Sequence, residues 1–418
     1  MSSLEIAPLS TLDHTVSVPG SRSVTNRALI CAALAEGTSR LKGWLDSDDT
    51  VAMRDGLGRM GVEVVENGED LLVRGTAGQL VIPLHPLDCR ASGTTMRVLC
   101  ALAALVPGRT TLDGTARMRE RPIQDLADAL TSMGVPTRTV AGCPPVTVNG
   151  GNFRGGELAI DASRSSQYLS ALLMLAPLAQ EPVAITTSQI TSRPYVEMTL
   201  DTMTAFGISV DQESDTRFRV APQTYRARSF SVEPDASSAS YFFGIAAISE
   251  GRVRVEGLTP ASSQADVRFV EILERMGCRA ERGSGWTSVR GPRYLRGIDV
   301  DMNSMPDAAM TLAVIACYAR GTTTIRNVGN WRIKETDRMK ALKTELEKLG
   351  ARIQVHDDDM QIEPPEGVRA ARIATYDDHR MAMAFTVAGT RTPGIIIDDP
   401  ECVSKTFPDF FERVASLG

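Results

Sequence analysis

The 418-residue sequence has little histidine, few aromatic side chains and no long apolar run. Its four histidines stand at no metal-ligand spacing, which gives no sign of an imidazole-rich metal centre. The seven cysteines (31, 89, 100, 143, 278, 317 and 402) are odd in number, scattered and without a C-x-x-C pair. That pattern predicts reduced thiols in the cytoplasm, not a disulfide frame or a zinc site. The longest apolar stretch, around Ala171 to Ala179, is far too short for a membrane span, and Met1 to Val18 lacks the apolar core of a secretory signal. A basic surplus is missing as well: the net charge of −6 argues against a general nucleic-acid binder. Neither a P-loop nor a strand-linked G-x-G-x-x-G occurs, which disfavours nucleotide-driven chemistry. What remains is an ordinary soluble composition, 43% hydrophobic and 23% charged, at a length that suits two or three domains.

The chain does have a repeat of about 70 residues, six times over. One helix of each unit ends in an apolar residue followed by glycine, at Met60-Gly61, Met133-Gly134, Phe206-Gly207, Met276-Gly277 and Leu349-Gly350, spaced 73, 73, 70 and 73 residues apart. Glycine after a helix suits the left-handed position that a side chain resists. A second, Ala/Leu/Met-rich helix starts near Asn26, Gly93, Ser165, Ser238, Asp307 and Asp378, and small polar or charged residues crowd each start. Helix N-termini carry unpaired N–H groups and partial positive charge, so such starts can together hold anions, phosphates or carboxylates. Short β-branched runs (Val62 to Val65, Phe218 to Val220, Thr323 to Arg326, Ile395 to Asp398) alternate with the helices, giving an α/β or α+β class. Six units group as two domains of three. The polar stretch Pro222 to Ser229 marks the seam, and Met1 to Val18 is expected to complete the second domain's sheet. The expected division is therefore 19–228 against a discontinuous 1–18 with 229–418.

Three stretches carry chemistry. In Pro19-Gly-Ser-Arg-Ser-Val-Thr-Asn-Arg27, Ser21 and Ser23 can cap a helix while Arg22 and Arg27 face one anion. A capped helix with solvated arginines would leave the same pattern. In Asn330-Trp-Arg-Ile-Lys-Glu-Thr-Asp-Arg338, Glu335 and Arg338 stand three apart, as on one helical face, beside Lys334. An exposed ion-pair ladder would look alike. In Tyr376-Asp-Asp-His-Arg-Met-Ala-Met383, Asp377 or Asp378 caps a helix whose first turn holds Arg380. A cation there opposes the helix dipole and makes sense once an anion compensates it.

At these stretches the chain resembles the 5-enolpyruvylshikimate-3-phosphate synthases, nearly end to end. Ordered matches run through Pro19 to Arg27, Leu45-Asp-Ser-Asp-Asp-Thr50, Ser92-Gly-Thr-Thr-Met-Arg97, Glu120-Arg-Pro-Ile123, Ser165-Ser-Gln167 and Ser192-Arg-Pro-Tyr195. They continue through Asp235 to Tyr241, Pro306-Asp-Ala-Ala309, Asn330 to Arg338, Asp378-His-Arg380 and Lys405-Thr-Phe-Pro408. The resemblance implies two domains of three βαβαββ units with the active site in the cleft between them. It also implies transfer of the enolpyruvyl group of phosphoenolpyruvate to the 5-hydroxyl of shikimate 3-phosphate by addition and elimination, in the shikimate pathway to chorismate and the aromatic amino acids. No metal or organic cofactor is implied, and we expect a monomer.

By the same resemblance Asp307 is the base, although a plain helix cap would also explain it. Glu335 takes part in protonating the methylene carbon, with Arg22 and Lys405 assisting. Shikimate 3-phosphate falls to Arg22, Ser23, Arg27, Ser165, Ser166, Gln167, Ser192, Tyr195, Asp307, Asn330 and Lys334. Phosphoenolpyruvate falls to Arg22, Gly93, Arg121, Gln167, Arg338, Arg380 and Lys405, with Gly93 letting backbone approach the ligand. The 1–18/229–418 domain then carries the acid and base and part of the phosphoenolpyruvate site, and 19–228 most of the shikimate 3-phosphate site.

The chain departs from the family pattern at Arg22, where lysine is usual, at Arg90-Ala91, where Gly-Asn or Asn-Ala is usual, and at Val98. Arginine does not give up a proton, so Arg22 is a poor acid. These changes adjoin the phosphoenolpyruvate pocket and predict reduced sensitivity to glyphosate. Arg193 also replaces a common lysine, at a site margin. Two rival functions stay open: enolpyruvyl transfer to another cyclic acceptor, and a non-catalytic phosphosugar-binding module. The related transferase acting on UDP-N-acetylglucosamine usually carries a reactive cysteine before its Arg-Pro motif, whereas this loop reads Thr115-Ala-Arg-Met-Arg-Glu120.

Overall fold

The computed structural model describes residues 2–10 and 12–418. Among the described residues twelve α-helices pair off: α1 (Arg22–Leu34) with α2 (Asp48–Arg59), α3 (Gly93–Leu102) with α4 (Gln124–Ser132), α5 (Ser166–Leu175) with α6 (Pro194–Ala205), α7 (Ala236–Ser249) with α8 (Phe269–Arg275), α9 (Ala308–Ala316) with α10 (Arg338–Lys348), and α11 (His379–Gly389) with α12 (Phe410–Ala415). The α3–α4 repeat shows the plan. Strand Leu87–Asp88, α3, strand Arg109–Asp113, α4 and the hairpin Thr137–Val140/Cys143–Asn149 form one four-stranded sheet. Its first two strands are parallel (Leu87↔Leu112) and the rest antiparallel. Among the described residues five sheets share this order; a sixth has three strands, Ala371–Ile373 and Ile395–Asp398 in parallel, closed by antiparallel Ser3–Glu5, and a small seventh pairs Leu295–Arg296 with Ala319–Arg320 in parallel.

The chain divides into two compact units, Gly20–Val232 and Met1–Pro19 with Glu233–Gly418. Each unit's first repeat takes its leading strand from across the chain. Ser229–Ser231 lies parallel to Thr38–Lys42, and Asp13–Val16 lies parallel to Arg252–Glu256. The crossover therefore falls after Val232, four residues beyond the expected 228. Pairing with Thr38–Lys42 holds Ser229–Ser231 in the first unit, a long-range contact that local polarity does not signal.

The odd-numbered helices are buried nearly all round; α7 shows water almost none of Ala236–Ile248. A helix apolar on every face belongs inside. The even-numbered helices bury one stripe, as α4 does with Leu126, Ala127, Ala129 and Leu130. All five expected junctions are C-caps, and Gly61, Gly134, Gly207, Gly277 and Gly350 take φ between 85° and 108°. The first helix starts at Arg22, one turn before the expected Asn26, because Ser21 takes the N-cap. Among the described residues no helix is long and apolar enough to cross a membrane.

Candidate active site

The buried helices begin differently in the two units. In Gly20–Val232 the N-caps of α1, α3 and α5 are Ser21, Ser92 and Ser165, which accept from Val24 N (3.5 Å), Thr95 N (3.4 Å) and Gln167 N (3.3 Å). In the other unit the N-cap positions of α7, α9 and α11 hold Asp235, Asp307 and Asp378. Asp235 and Asp378 accept from Ser238 N (2.7 Å) and Arg380 N (2.9 Å), shorter bonds as befits a charged acceptor.

In the first unit, cations stand beside these neutral caps. Arg22 Nη1 reaches Asp49 Oδ2 at 3.0 Å. Arg27 is buried and donates from Nε to Thr199 Oγ1 (2.7 Å), from Nη1 to the Ser23 carbonyl (2.9 Å) and from Nη2 to the Tyr195 carbonyl (2.9 Å). Burial brings its pKa down to about 10, so it keeps its charge at neutral pH. Arg121 is buried, donating to the Ala91 carbonyl at 3.5 Å. A Cβ at Gly93 would lie 2.6 Å from Arg121 Nη2, so glycine here makes room for that guanidinium. Gln167 Nε2 reaches Thr94 Oγ1 at 3.5 Å, tying the start of α5 to that of α3. Ser166 and Ser192 are buried, Ser192 in the left-handed region at φ 51°.

In the second unit Arg338, 1% exposed, gathers three carboxylates. Its Nε donates to Asp378 Oδ2 at 2.7 Å, its Nη1 to Asp307 Oδ1 at 3.0 Å and its Nη2 to Glu335 Oε2 at 3.0 Å. Burial works against this charge, but Asp378, Glu335 and Asp307 outweigh it and hold the guanidinium above its usual pKa. Arg380 Nη2 meets Asp307 Oδ2 at 2.8 Å, and its Nη1 donates to the Tyr241 hydroxyl at 3.0 Å. Asp307 thus sits at a helix start without capping it: both oxygens belong to arginines and its side chain makes no cap bond. Glu335 precedes α10, since Gly329–Ile333 is a 3-10 turn and Asp337 is the N-cap. The expected helical face is therefore a bend, residues 334–336, and the Glu335–Arg338 pair links that bend to the first residue of α10. Asn330 lies on that turn, Lys334 directly follows it, and buried Lys405 ends the 3-10 turn Pro400–Lys405, which packs on α11.

Sequence reasoning missed several partners. Asp49, Thr199 and Tyr241 hold the arginines, and Asp378 does more than cap. Asp266 is buried and accepts from Ser237 Oγ at 3.1 Å. Burial first and then Asp307 push its carboxyl up to about 7, with Arg380 pulling the other way. Asp49 and Tyr241 lie inside motifs that the resemblance had marked; Thr199 and Asp266 carried no local signal. Among the described residues no group of three or more His, Cys, Asp or Glu is arranged to hold a metal ion.

The chain is 46% identical over 424 residues to the 3-phosphoshikimate 1-carboxyvinyltransferase of Nitrosomonas europaea, covering 99% of this chain and 98% of the relative. It is 45% identical over 408 residues to that of Trichormus variabilis, 96% of each chain. An EPSP synthase structure from Acinetobacter baumannii is similar with a TM-score of 0.83 at 27% identity, covering 100% of this chain and 98% of that one. The enolpyruvyl transferase NikO from Streptomyces tendae shares the fold, with a TM-score of 0.79 at 19% identity over 99% and 97% of the two chains. The sequence profile of EPSP synthase (3-phosphoshikimate 1-carboxyvinyltransferase) matches residues 6–414. With a match over almost its whole length, the chain belongs to the EPSP synthase family of enzymes.

Proposed function

We propose that the enzyme moves the enolpyruvyl group of phosphoenolpyruvate to the 5-hydroxyl of shikimate 3-phosphate and releases phosphate. The observation that carries this is Asp307, an aspartate at a helix start that leaves capping aside and stands between Arg338 and Arg380. The two guanidiniums set a positive charge against each of its oxygens. Once phosphoenolpyruvate draws Arg380 to its own carboxylate and phosphate, Asp307 loses an opposing charge and gains basicity. Asp307 then takes the proton of the 5-hydroxyl as that oxygen bonds to C2 of phosphoenolpyruvate. The methylene carbon receives a proton with Glu335 taking part, Arg22 and Lys405 assisting, and a tetrahedral adduct forms. Elimination removes a methyl proton and breaks the C2–O bond to phosphate, so that the C2–C3 double bond forms again in an enol ether and the proton and phosphate are released.

Shikimate 3-phosphate is assigned to Ser23, Arg27, Ser165, Ser166, Gln167, Ser192 and Tyr195, with Asp307, Asn330 and Lys334. Neutral serine caps favour that assignment, because they leave the positive ends of the helices for the ligand's phosphate. Arg22, Gly93, Arg121, Gln167, Arg338, Arg380 and Lys405 are assigned to phosphoenolpyruvate. The free cysteines fit a reducing compartment, the cytoplasm. The test is phosphate release from phosphoenolpyruvate with shikimate 3-phosphate present or omitted. Release that needs both substrates supports the reading; no acceptor-dependent release sinks it.

A further inference from the structure

We infer that Glu345 is a positioning residue for the anion-binding end of α11, holding the turn Ala374–Asp377 so that Asp378 and Arg380 stand in place. The inference rests on the assignment of Arg338 and Arg380 to phosphoenolpyruvate. Glu345 lies on α10, is fully buried, and gathers three donors. Its Oε1 accepts from the Tyr376 hydroxyl at 2.7 Å, and its Oε2 from Ala374 N at 3.1 Å and Lys348 Nζ at 2.6 Å. Lys348 Nζ also donates to the Arg372 carbonyl at 3.1 Å. A buried carboxylate with three hydrogen bonds, one of them from a cation, is a fixed point, not a solvated surface charge.

What it fixes is a costly conformation. Tyr376 and Asp377, neither of them glycine, both take the left-handed region, at φ 56° and 55°. Two such residues in succession persist only where their surroundings over-determine them. Asp378 follows directly, bonded to Arg338 at 2.7 Å and to Arg380 N at 2.9 Å. Arg338 and Glu345 are seven residues apart on α10, two turns, and so share a face. The face therefore grips the incoming chain twice, Arg338 through Asp378 and Glu345 through Ala374 and Tyr376. Burial, and then the bond to Glu345, push the Tyr376 hydroxyl up to about 12, which keeps it a donor across the working range. If the Glu345 grip is lost, the turn can relax and Arg380 drifts from the position its ligand needs. A misplacement of that kind costs binding of one substrate without touching the other.

The experiment is steady-state kinetics of the full-length wild type, Glu345→Gln and Tyr376→Phe, varying each substrate in turn. The expected result for Glu345→Gln is a KM for phosphoenolpyruvate raised about tenfold, with the KM for shikimate 3-phosphate within about twofold of wild type. Tyr376→Phe should show the same split, more weakly. Active wild type with an unchanged phosphoenolpyruvate KM in both variants overturns the inference alone. So does a parallel rise of both KM values, the mark of general damage. Should Glu345→Gln fail to fold, Tyr376→Phe decides by the same criteria, since its side chain is partly exposed. A wild type inactive with both substrates overturns the functional assignment and this inference with it.

Discussion

The two units solve the same problem, a buried arginine near helix starts, in opposite ways. Arg27 in Gly20–Val232 is met by a hydroxyl and two carbonyls, all neutral, beside a serine-capped helix. Arg338 in the other unit is met by three carboxylates, beside two helices whose N-cap positions hold Asp307 and Asp378. The first arrangement orients the guanidinium but leaves its charge uncancelled. Three of its five N–H groups go to these neutral partners. The second cancels the charge within the protein and leaves titratable carboxylates in fixed geometry. Neutral surroundings make a binder, and anionic surroundings make acid–base machinery that an anionic ligand must compete for.

The contrast breaks most easily at Asp307. Replacement by alanine should lower turnover by about 10²–10⁴-fold, the usual worth of a positioned base, while shikimate 3-phosphate binding stays largely intact. Isothermal titration with that ligand beside a turnover assay checks both halves, and near-normal turnover would refute the role. Next in size is Asp266, whose buried carboxyl lies near Asp307 in the second unit. Its pKa is raised from 3.8 to about 7, so the folded state holds a proton that the unfolded chain has lost. Stability from this group is therefore complete below about pH 4 and falls as pH rises to about 7, by at most about 4 kcal/mol. Asp266→Asn keeps an acceptor for Ser237 and removes that slope. Urea midpoints at pH 5, 6.5 and 8 should fall less steeply for the variant than for wild type; parallel curves would show that no such proton is held.

Much of this was legible before any coordinates. The Met-Gly and Phe-Gly junctions announced helix ends because a left-handed C-cap has a strong local preference, and the crowded helix starts announced the caps. Those starts held serines in one half and Asp235, Asp307 and Asp377 or Asp378 in the other, but nothing local told which of Ser21 and Ser23, or of Asp377 and Asp378, takes the cap, or that Asp307 leaves it. The Ser229–Ser231 strand was not legible, since its partner Thr38–Lys42 lies about 190 residues away and three residues carry little pattern. Glu335 and Arg338 misled because three-residue spacing reads the same in a helix and in a bend. Glu345 was silent for a related reason: with Lys348 it looks like any exposed i,i+3 pair, and only packing reveals that it is buried.

Arg27→Lys sharpens the contrast on the binding side. Lysine keeps the charge in water but loses the fork that serves Thr199, Ser23 and Tyr195 together. Burial that takes the arginine down to about 10 would also draw a lysine, starting near 10.4, toward neutrality in the working range. The KM for shikimate 3-phosphate should rise by about 10–100-fold, more at pH 8 than at pH 6.5, with the phosphoenolpyruvate KM little changed. A pH-independent rise would mean that geometry alone was lost.

The smallest effect is expected at the edge of the neutral unit, in the loop before α3. Arg90 takes φ 48°, a conformation that suits glycine or asparagine, the residues usual in the family. Its side chain pairs with Asp55 at 3.1 Å on the surface, a contact worth about 0–1 kcal/mol. Its neighbour Ala91 accepts from Arg121, whose guanidinium already crowds Gly93. The loop therefore sets where Arg121 sits, and a compact inhibitor relying on that cation feels the change more than a substrate held by several. Glyphosate should inhibit this enzyme less well than it inhibits relatives with the usual loop, and Arg90→Asn should lower the half-maximal dose several-fold, within about one factor of ten. Dose–response curves at equal phosphoenolpyruvate saturation decide it. Wild-type inhibition as tight as in those relatives would leave Arg90 and Ala91 with no part in inhibitor discrimination.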